Sequence, residues 1–231
     1  MTETAQQSDP FSDAPNPDRA ALARVGKLVR ARLANDPGVY RFPCDQAEIY
    51  AVTDFLSTGE CQRLIARIDE VARPSTLYNL GHGEQYRTSY SGDVDRNDAF
   101  IRMIERKIDD LLGIDGDFGE TVQGQRYAPG QEFMAHYDWF FTRSDYWQSE
   151  KDRGGQRSWT AMVFLGEVEE GGNTDFTRIG ISIPPQRGLL LLWNNTLPDG
   201  SPNVETLHAG TPVVRGVKYI ITKWYRTRRW G

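Results

Sequence analysis

Apolar residues recur every three to four positions between Ala20 and Asn35. Leu22, Val25, Leu28, Val29 and Leu33 therefore share one side of a helix, and Asp36-Pro37-Gly38 ends it. Ile49-Tyr50-Ala51-Val52 reads as a short strand. Ser57-Thr58-Gly59-Glu60 has the form of a capping box. Leu56 and Cys61 are placed as its hydrophobic staple, and Leu64, Ile65, Ile68 and Val71 continue the helix. A further amphipathic helix is expected from about Arg96 to Leu112, with Phe100, Ile101, Ile104, Ile108 and Leu111 on one face. From residue 120 the period changes. β-rich runs at 121–127, 132–140, 158–167, 179–183, 188–193, 204–210 and 216–225 alternate with breaks such as Pro129-Gly130, Gly171-Gly172 and Pro198-Asp199-Gly200. Short strands at this spacing, with no helical interruption, predict an antiparallel sandwich or jelly roll rather than a parallel α/β sheet.

Composition narrows this picture only in part. The 231 residues, 39% of them hydrophobic, suffice for one sizeable domain plus an extension. Residues 1–20, rich in Pro, Ser and Asp, are expected to be disordered. Residues 21–44 are expected to form a helical extension and 45–231 the main domain. A net charge of −5 gives no support for nucleic-acid binding. The basic cluster Arg226, Arg228 and Arg229 is expected to be a solvated end. No apolar run approaches the ~18 residues of a membrane span, and no signal peptide is visible. Two cysteines do not make a disulfide framework. A cytoplasmic location is expected. Oligomeric state is not legible.

The candidate chemistry lies in the histidines, of which the chain has three. His136 falls in His136-Tyr137-Asp138; His208 follows about seventy residues later and Lys218 ten after that. Two imidazoles and one carboxylate on one side of a metal are the facial triad of non-heme Fe(II) oxygenases, which leaves positions open for oxygen and a second substrate. If His136 and Asp138 both lie on a strand, their i, i+2 spacing turns them to the same face. His82, in Gly81-His82-Gly83, is expected to be a loop residue. Lys218 sits in the apolar run Val217–Ile221. Alternation puts Lys218, Ile220 and Thr222 on one face. Periodicity leaves open whether that face meets solvent or a bound anion.

The resemblance carried by these segments is specific. Arg126-Tyr127-Ala128-Pro129-Gly130-Gln131-Glu132-Phe133-Met134-Ala135-His136-Tyr137-Asp138, the runs 160–165, 169–174 and 188–193, and His208–Val213 resemble the prolyl 4-hydroxylase branch of the Fe(II)/2-oxoglutarate dioxygenases. So do Gly216-Val217-Lys218-Tyr219-Ile220 and Thr222-Lys223-Trp224, and the likeness covers roughly residues 45 to 229. It implies a mostly β fold, a double-stranded β-helix (jelly roll) with helices packed on one side. It also implies His136, Asp138 and His208 as catalytic iron ligands. Lys218, Tyr127 and Thr174 would meet 2-oxoglutarate, and Arg157, Trp224 and Arg87 would line the substrate groove. From the residues alone, Tyr127 and Trp224 would serve equally as core aromatics, and Arg157 as a surface arginine.

The implied cofactors are Fe(II), 2-oxoglutarate and O2, with ascorbate as a reductant. The implied activity is hydroxylation of an unactivated C–H. Retention of Asp138 favours hydroxylation, because related halogenases carry a small residue there. The expected substrate is a peptidyl proline. Phe133, where peptide-hydroxylating relatives often carry tyrosine, keeps a free amino acid or other small metabolite open. A jelly-roll module that binds metal without turnover and a zinc hydrolase are the readings of other classes. The aromatic stretch 139–157 is either a lid over the groove or a packed surface loop.

Overall fold

The structure is a computed structural model that describes residue 11, residues 14–75 and residues 86–231. The loop of His82 lies outside the described residues, as do residues 1–10, 12 and 13 of the expected disordered stretch. The described residues form four α-helices: α1 (Arg19–Leu33), α2 (Thr58–Val71), α3 (Ala99–Leu112) and the short α4 (Trp147–Asp152). The first strands are β1 (Tyr40–Arg41), β2 (Ile49–Val52), β3 (Arg73–Pro74), β4 (Tyr90–Asp93), β5 (Gln123–Tyr127), β6 (Phe133–His136) and β7 (Arg157–Phe164). The others are β8 (Glu170–Gly171), β9 (Thr174–Phe176), β10 (Ile181–Ile183), β11 (Leu190–Asn194), β12 (His208–Gly210), β13 (Val213–Arg215) and β14 (Lys218–Arg226).

The large sheet runs β1-β2-β11-β7-β14-β5-β4-β3 and the small one β10-β9-β12-β6, with antiparallel pairing throughout. Strands at the centre of the large sheet are buried on both faces, so they read as apolar runs rather than alternations. Along β7, Trp159, Ala161 and Val163 join the core under α1–α3, with Leu64, Ile68, Ile104 and Ile108. Met162 and Phe164 point the other way, into a core shared with Phe176 of β9 and with Trp193 and Leu191 of β11. The two sheets enclose that second core. This is the double-stranded β-helix, helices on one side, that the resemblance implied; the pattern alone had gone as far as a sandwich or jelly roll.

The Ser57–Glu60 capping box is present, with Ser57 Oγ accepting from the Glu60 amide at 3.3 Å and the Glu60 carboxylate accepting from the Ser57 amide at 2.7 Å. The staple residues Leu56 and Cys61 are both buried in the helix-side core. Ser57→Ala should lower stability by ~1 kcal/mol in urea unfolding, the usual size of a lost N-cap. α3 starts later than its apolar pattern suggests, because Asp98 accepts from the Phe100 amide and so caps the helix there.

Other expectations need correction. The 139–157 stretch contains α4 and is packed: Trp139, Phe140, Glu150 and Gln156 are buried. Of the stretch expected to be disordered, Phe11 is buried against Tyr137, Trp139 and Phe141, and the Asp18 carboxylate accepts from the Gln156 amide at 3.0 Å. An aromatic cage holds Phe11 and a buried amide donor holds Asp18, contacts that composition does not show. α1 packs into the same body through Leu22, Val29 and Leu33, and Arg30 makes two bonds to Glu48 at 2.9 and 3.0 Å. No described helix is long and apolar enough to cross a membrane.

Candidate metal centre and its relatives

β5 leads into β6 through Ala128-Pro129-Gly130-Gln131. The Gln131 amide donates to the Ala128 carbonyl at 2.9 Å, and Gly130 has φ +81°. That is a type II turn, with proline preset at its second position and glycine supplying positive φ at its third. It returns the chain so that His136, the last residue of β6, pairs with His208, the first of β12. The two imidazole centroids are 4.3 Å apart.

Each ring has its tautomer fixed by the backbone. His136 Nδ1 donates to the Met134 carbonyl at 2.8 Å and His208 Nδ1 to the Thr206 carbonyl at 3.0 Å. Both Nε2 lone pairs are left for a ligand, the arrangement by which metal-binding histidines are oriented. Burial, with His208 beside it, brings the His136 pKa down to about 3, so the ring is neutral and able to donate its lone pair.

Asp138 completes the group, though not as the strand geometry suggested. β6 ends at His136, and Asp138 lies two residues beyond it in the following bend. The pleat therefore does not orient it. The Thr160 hydroxyl does, donating to Asp138 Oδ2 at 2.7 Å from the facing strand β7. Burial pushes the Asp138 carboxyl up, but His208, Arg157, His136 and the Thr160 bond outweigh it and hold it below the usual carboxylate range. The donor atoms of His136, Asp138 and His208 all lie within 4.8 Å of one another. Two neutral nitrogens and one anionic oxygen in this span suit a single divalent transition metal.

Lys218, the first residue of β14, is 2% exposed. Its face is the one shared with Ile220, directed between the sheets. Among the described residues the ammonium reaches only the Thr174 hydroxyl, at 3.4 Å, and lies over the rings of Tyr127 and Phe164, each at 5.4 Å. Burial brings its pKa from 10.5 to about 7, with Asp175 acting the other way. A buried cation supported only by a distant hydroxyl and two ring faces is costly without an anion. A carboxylate-bearing ligand answers that need.

Lys218, Tyr127 and Thr174 line an inner cavity of about 40 Å³ with Gln125, Thr222 and the three metal-site residues. Tyr127 is buried and its hydroxyl donates to Gln125 Oε1 at 2.7 Å, while Gln125 Nε2 donates to Thr222 at 3.0 Å. An outer groove of about 610 Å³ adjoins the cavity, and Phe133, His136, Asp138 and Trp224 stand in the walls of both.

With this geometry in view, comparisons with known proteins are decisive. Residues 122–226 match the family model of the 2OG-Fe(II) oxygenase superfamily. "Probable prolyl 4-hydroxylase 3" of Arabidopsis thaliana is 33% identical over 195 residues, covering 74% of this chain and 66% of that protein. "Probable prolyl 4-hydroxylase 8" of the same plant is 31% identical over 203 residues, covering 77% and 68%. The crystal structure of a viral collagen prolyl hydroxylase from Paramecium Bursaria Chlorella virus-1, in its 2OG complex, superposes with a TM-score of 0.61. It is 30% identical and covers 79% of this chain and 98% of that one. The chain belongs to the prolyl 4-hydroxylase branch of the 2OG-Fe(II) oxygenases.

The chain spans about two thirds of the length of these plant relatives. The chemistry of the superfamily is dioxygenation with Fe(II), 2-oxoglutarate and O2. The His-Asp-His group and the anion-seeking lysine of this dioxygenase fit that requirement.

The expected groove residues come together as well. Arg157 is not a surface residue. Two bonds at 2.7 and 2.8 Å join it to Glu120, it stacks over Trp224 at 4.0 Å, and one nitrogen lies 3.8 Å from Asp138 Oδ1. Arg226 is likewise not a solvated end. It is buried and joined to Glu120 at 3.0 Å and to Glu150 at 2.6 Å. Arg228 pairs with Asp18 at 2.5 Å but stays exposed, as does Arg229, so the expectation of a solvated end fails for Arg226 only.

Arg87 lies over the Phe133 ring at 4.7 Å and donates to Gln123 and Ser89 at 2.9 and 3.1 Å. Phe133 itself stacks on His136 with centroids 3.6 Å apart. Trp224 Nε1 is buried with no hydrogen-bond partner among the described residues. Glu120, Thr160 and Asn195 were not among the expected residues of this dioxygenase. A threonine inside the apolar run 158–167, and two asparagines directly after Leu189–Trp193, were the available signals for the last two; Glu120 left none.

Proposed function

We propose that this dioxygenase hydroxylates proline within a peptide, with His136, Asp138 and His208 as its iron ligands. The observation that carries the substrate reading is the outer groove. It is far larger than a single amino acid needs, it abuts the metal-site residues, and aromatic side chains alternate with charged and polar ones along its walls. The names of the plant and viral relatives point the same way.

Each side chain has a definable task. His136 and His208 present Nε2 because their Nδ1 protons are tied to carbonyls. Asp138 supplies the anionic ligand. Lys218 holds the far carboxylate of 2-oxoglutarate, with Thr174 and Tyr127 beside it. Arg157, kept charged and rigid by Glu120, forms one wall with Trp224, whose free indole N–H suits a carbonyl oxygen of a peptide. Phe133 and Trp193 exclude water around the histidines. Iron, 2-oxoglutarate and O2 together supply an oxidant strong enough for an aliphatic C–H bond, with succinate and CO2 as the other products.

The test is to incubate the protein with Fe(II), 2-oxoglutarate and ascorbate, offering proline-containing peptides and free proline separately. The expected result is a gain of 16 Da on the peptides together with stoichiometric succinate. Modification of free proline alone would replace this reading with a small-molecule one.

A further inference from the structure

Thr160 is fully buried on β7, between Asp138 and Asn195. Its hydroxyl has one proton and gives it to Asp138 Oδ2 at 2.7 Å. It can therefore meet Asn195 only as an acceptor, and Asn195 Nδ2 donates to it at 3.0 Å. The direction of the asparagine amide follows from this. It has a visible consequence, because Asn195 Oδ1 is buried with no partner among the described residues. Buried orphan oxygens are uncommon. Turning the amide around would set two acceptors against each other and break the chain of donors that ends on Asp138.

From this arrangement we infer that Asn195, acting through Thr160, is a positioning residue for the metal ligand Asp138. Asp138 needs such support. It lies past the end of β6, where no strand neighbour sets its direction. Thr160 sits on the strand buried on both faces, and Asn195 is itself pinned to that strand, its amide donating to the Ser158 carbonyl at 2.9 Å.

Asn195 also reaches the other side of the centre. Its carbonyl accepts from the Asn203 amide at 3.0 Å, the Asn203 carbonyl accepts from the Thr206 hydroxyl at 2.8 Å, and the Thr206 carbonyl holds His208 Nδ1. Two ligands from different elements are thus referenced to one residue, directly after β11. Supporting partners of this kind orient ligands and tune metal affinity.

The inference rests on the ligand assignment proposed above, and its test separates the two. Co(II) is used as the probe, titrated anaerobically and followed by calorimetry and by its visible absorption, which reports coordination geometry. Thr160→Val should weaken Co(II) binding by ~10–100-fold, the range for lost ligand support, and change the absorption band. Thr160→Ser, which restores the hydroxyl, should recover both. Asn195→Ala should weaken binding in the same sense, and Thr160→Val/Asn195→Ala should be no worse than Thr160→Val alone, since both cut one chain. If Asn195→Ala does not fold, the near-isosteric Asn195→Asp, which removes the donor, carries the same expectation.

Parental Co(II) affinity in Thr160→Val and in the Asn195 variant would overturn the inference, as would losses that simply add or a failure of serine to rescue. Asp138→Ala is the reference. Normal Co(II) binding by that variant sinks the ligand assignment itself. Lost binding there, beside silent Thr160 and Asn195 variants, sinks this inference alone.

Discussion

Asp138→Ala is expected to weaken Fe(II) binding by more than ~100-fold, beyond the usual effect of losing a supporting partner, and to abolish 2-oxoglutarate turnover. The reason is the charge count of the donor set. His136 and His208 are neutral ligands, so Asp138 brings the single negative charge among the three donors that lie within 4.8 Å of one another. Removing it also leaves the Arg157 guanidinium, now 3.8 Å from the carboxylate, facing the centre without that anion. A cation so placed repels a divalent metal in a poorly solvated site. Asp138→Asn separates charge from shape. The amide oxygen can still accept from Thr160, so the side chain should stay in place while the charge is lost. Anaerobic Fe(II) titration and succinate formation measure both. If the asparagine variant holds iron as the parent does, charge is not what Asp138 contributes, and if the alanine variant does so, Asp138 is not a ligand.

Much of this centre could be read along the chain because its chemistry is local in sequence. His136 and His208 stand in short motifs on opposite strands, and the alternation along Lys218, Ile220 and Thr222 correctly put all three on one face. That face turned out to be the inner one, which periodicity could not decide: β14 is buried on both sides and carries polar residues on each, so alternation does not distinguish core from solvent. The capping box at Ser57 was legible for the same reason of locality, since its partners are three residues apart. What stayed hidden depends on contacts between distant segments. Arg157 and Arg226 looked like ordinary surface arginines because Glu120, which bonds to both, lies 37 and 106 residues away. Asp138 looked like a strand residue because its real anchor, Thr160, is on another strand. β9 and β13 have three residues each, too few for a period to show. α4 was missed because six residues of aromatic and charged composition carry little helical signal.

Lys218→Met should have effects of opposite sign on stability and on cosubstrate binding. In the absence of 2-oxoglutarate the buried ammonium is a liability. Its folded pKa of about 7 lies below the unfolded value near 10.5, so between those pH values the unfolded chain binds more protons. Stability therefore rises as pH increases from 7 toward 10.5, and below 7 the full cost of the buried charge is present. Methionine, of similar length and uncharged, removes that cost. The variant should melt at a higher temperature than the parent near pH 6.5, with a flatter pH dependence. Binding of 2-oxoglutarate should move the other way. The loss of a charge-assisted contact of ~1.5–3 kcal/mol corresponds to ~10–100-fold weaker affinity. The parent must also protonate Lys218 to receive the carboxylate. Its affinity should accordingly fall by up to about tenfold per pH unit above 7, with proton uptake on binding. Calorimetry in buffers of different ionisation enthalpy reads that proton directly, and in Lys218→Met it should disappear. Equal cosubstrate affinity and equal proton uptake in parent and variant would mean that the ammonium meets some other anion, and the inner cavity would lose its assignment to 2-oxoglutarate.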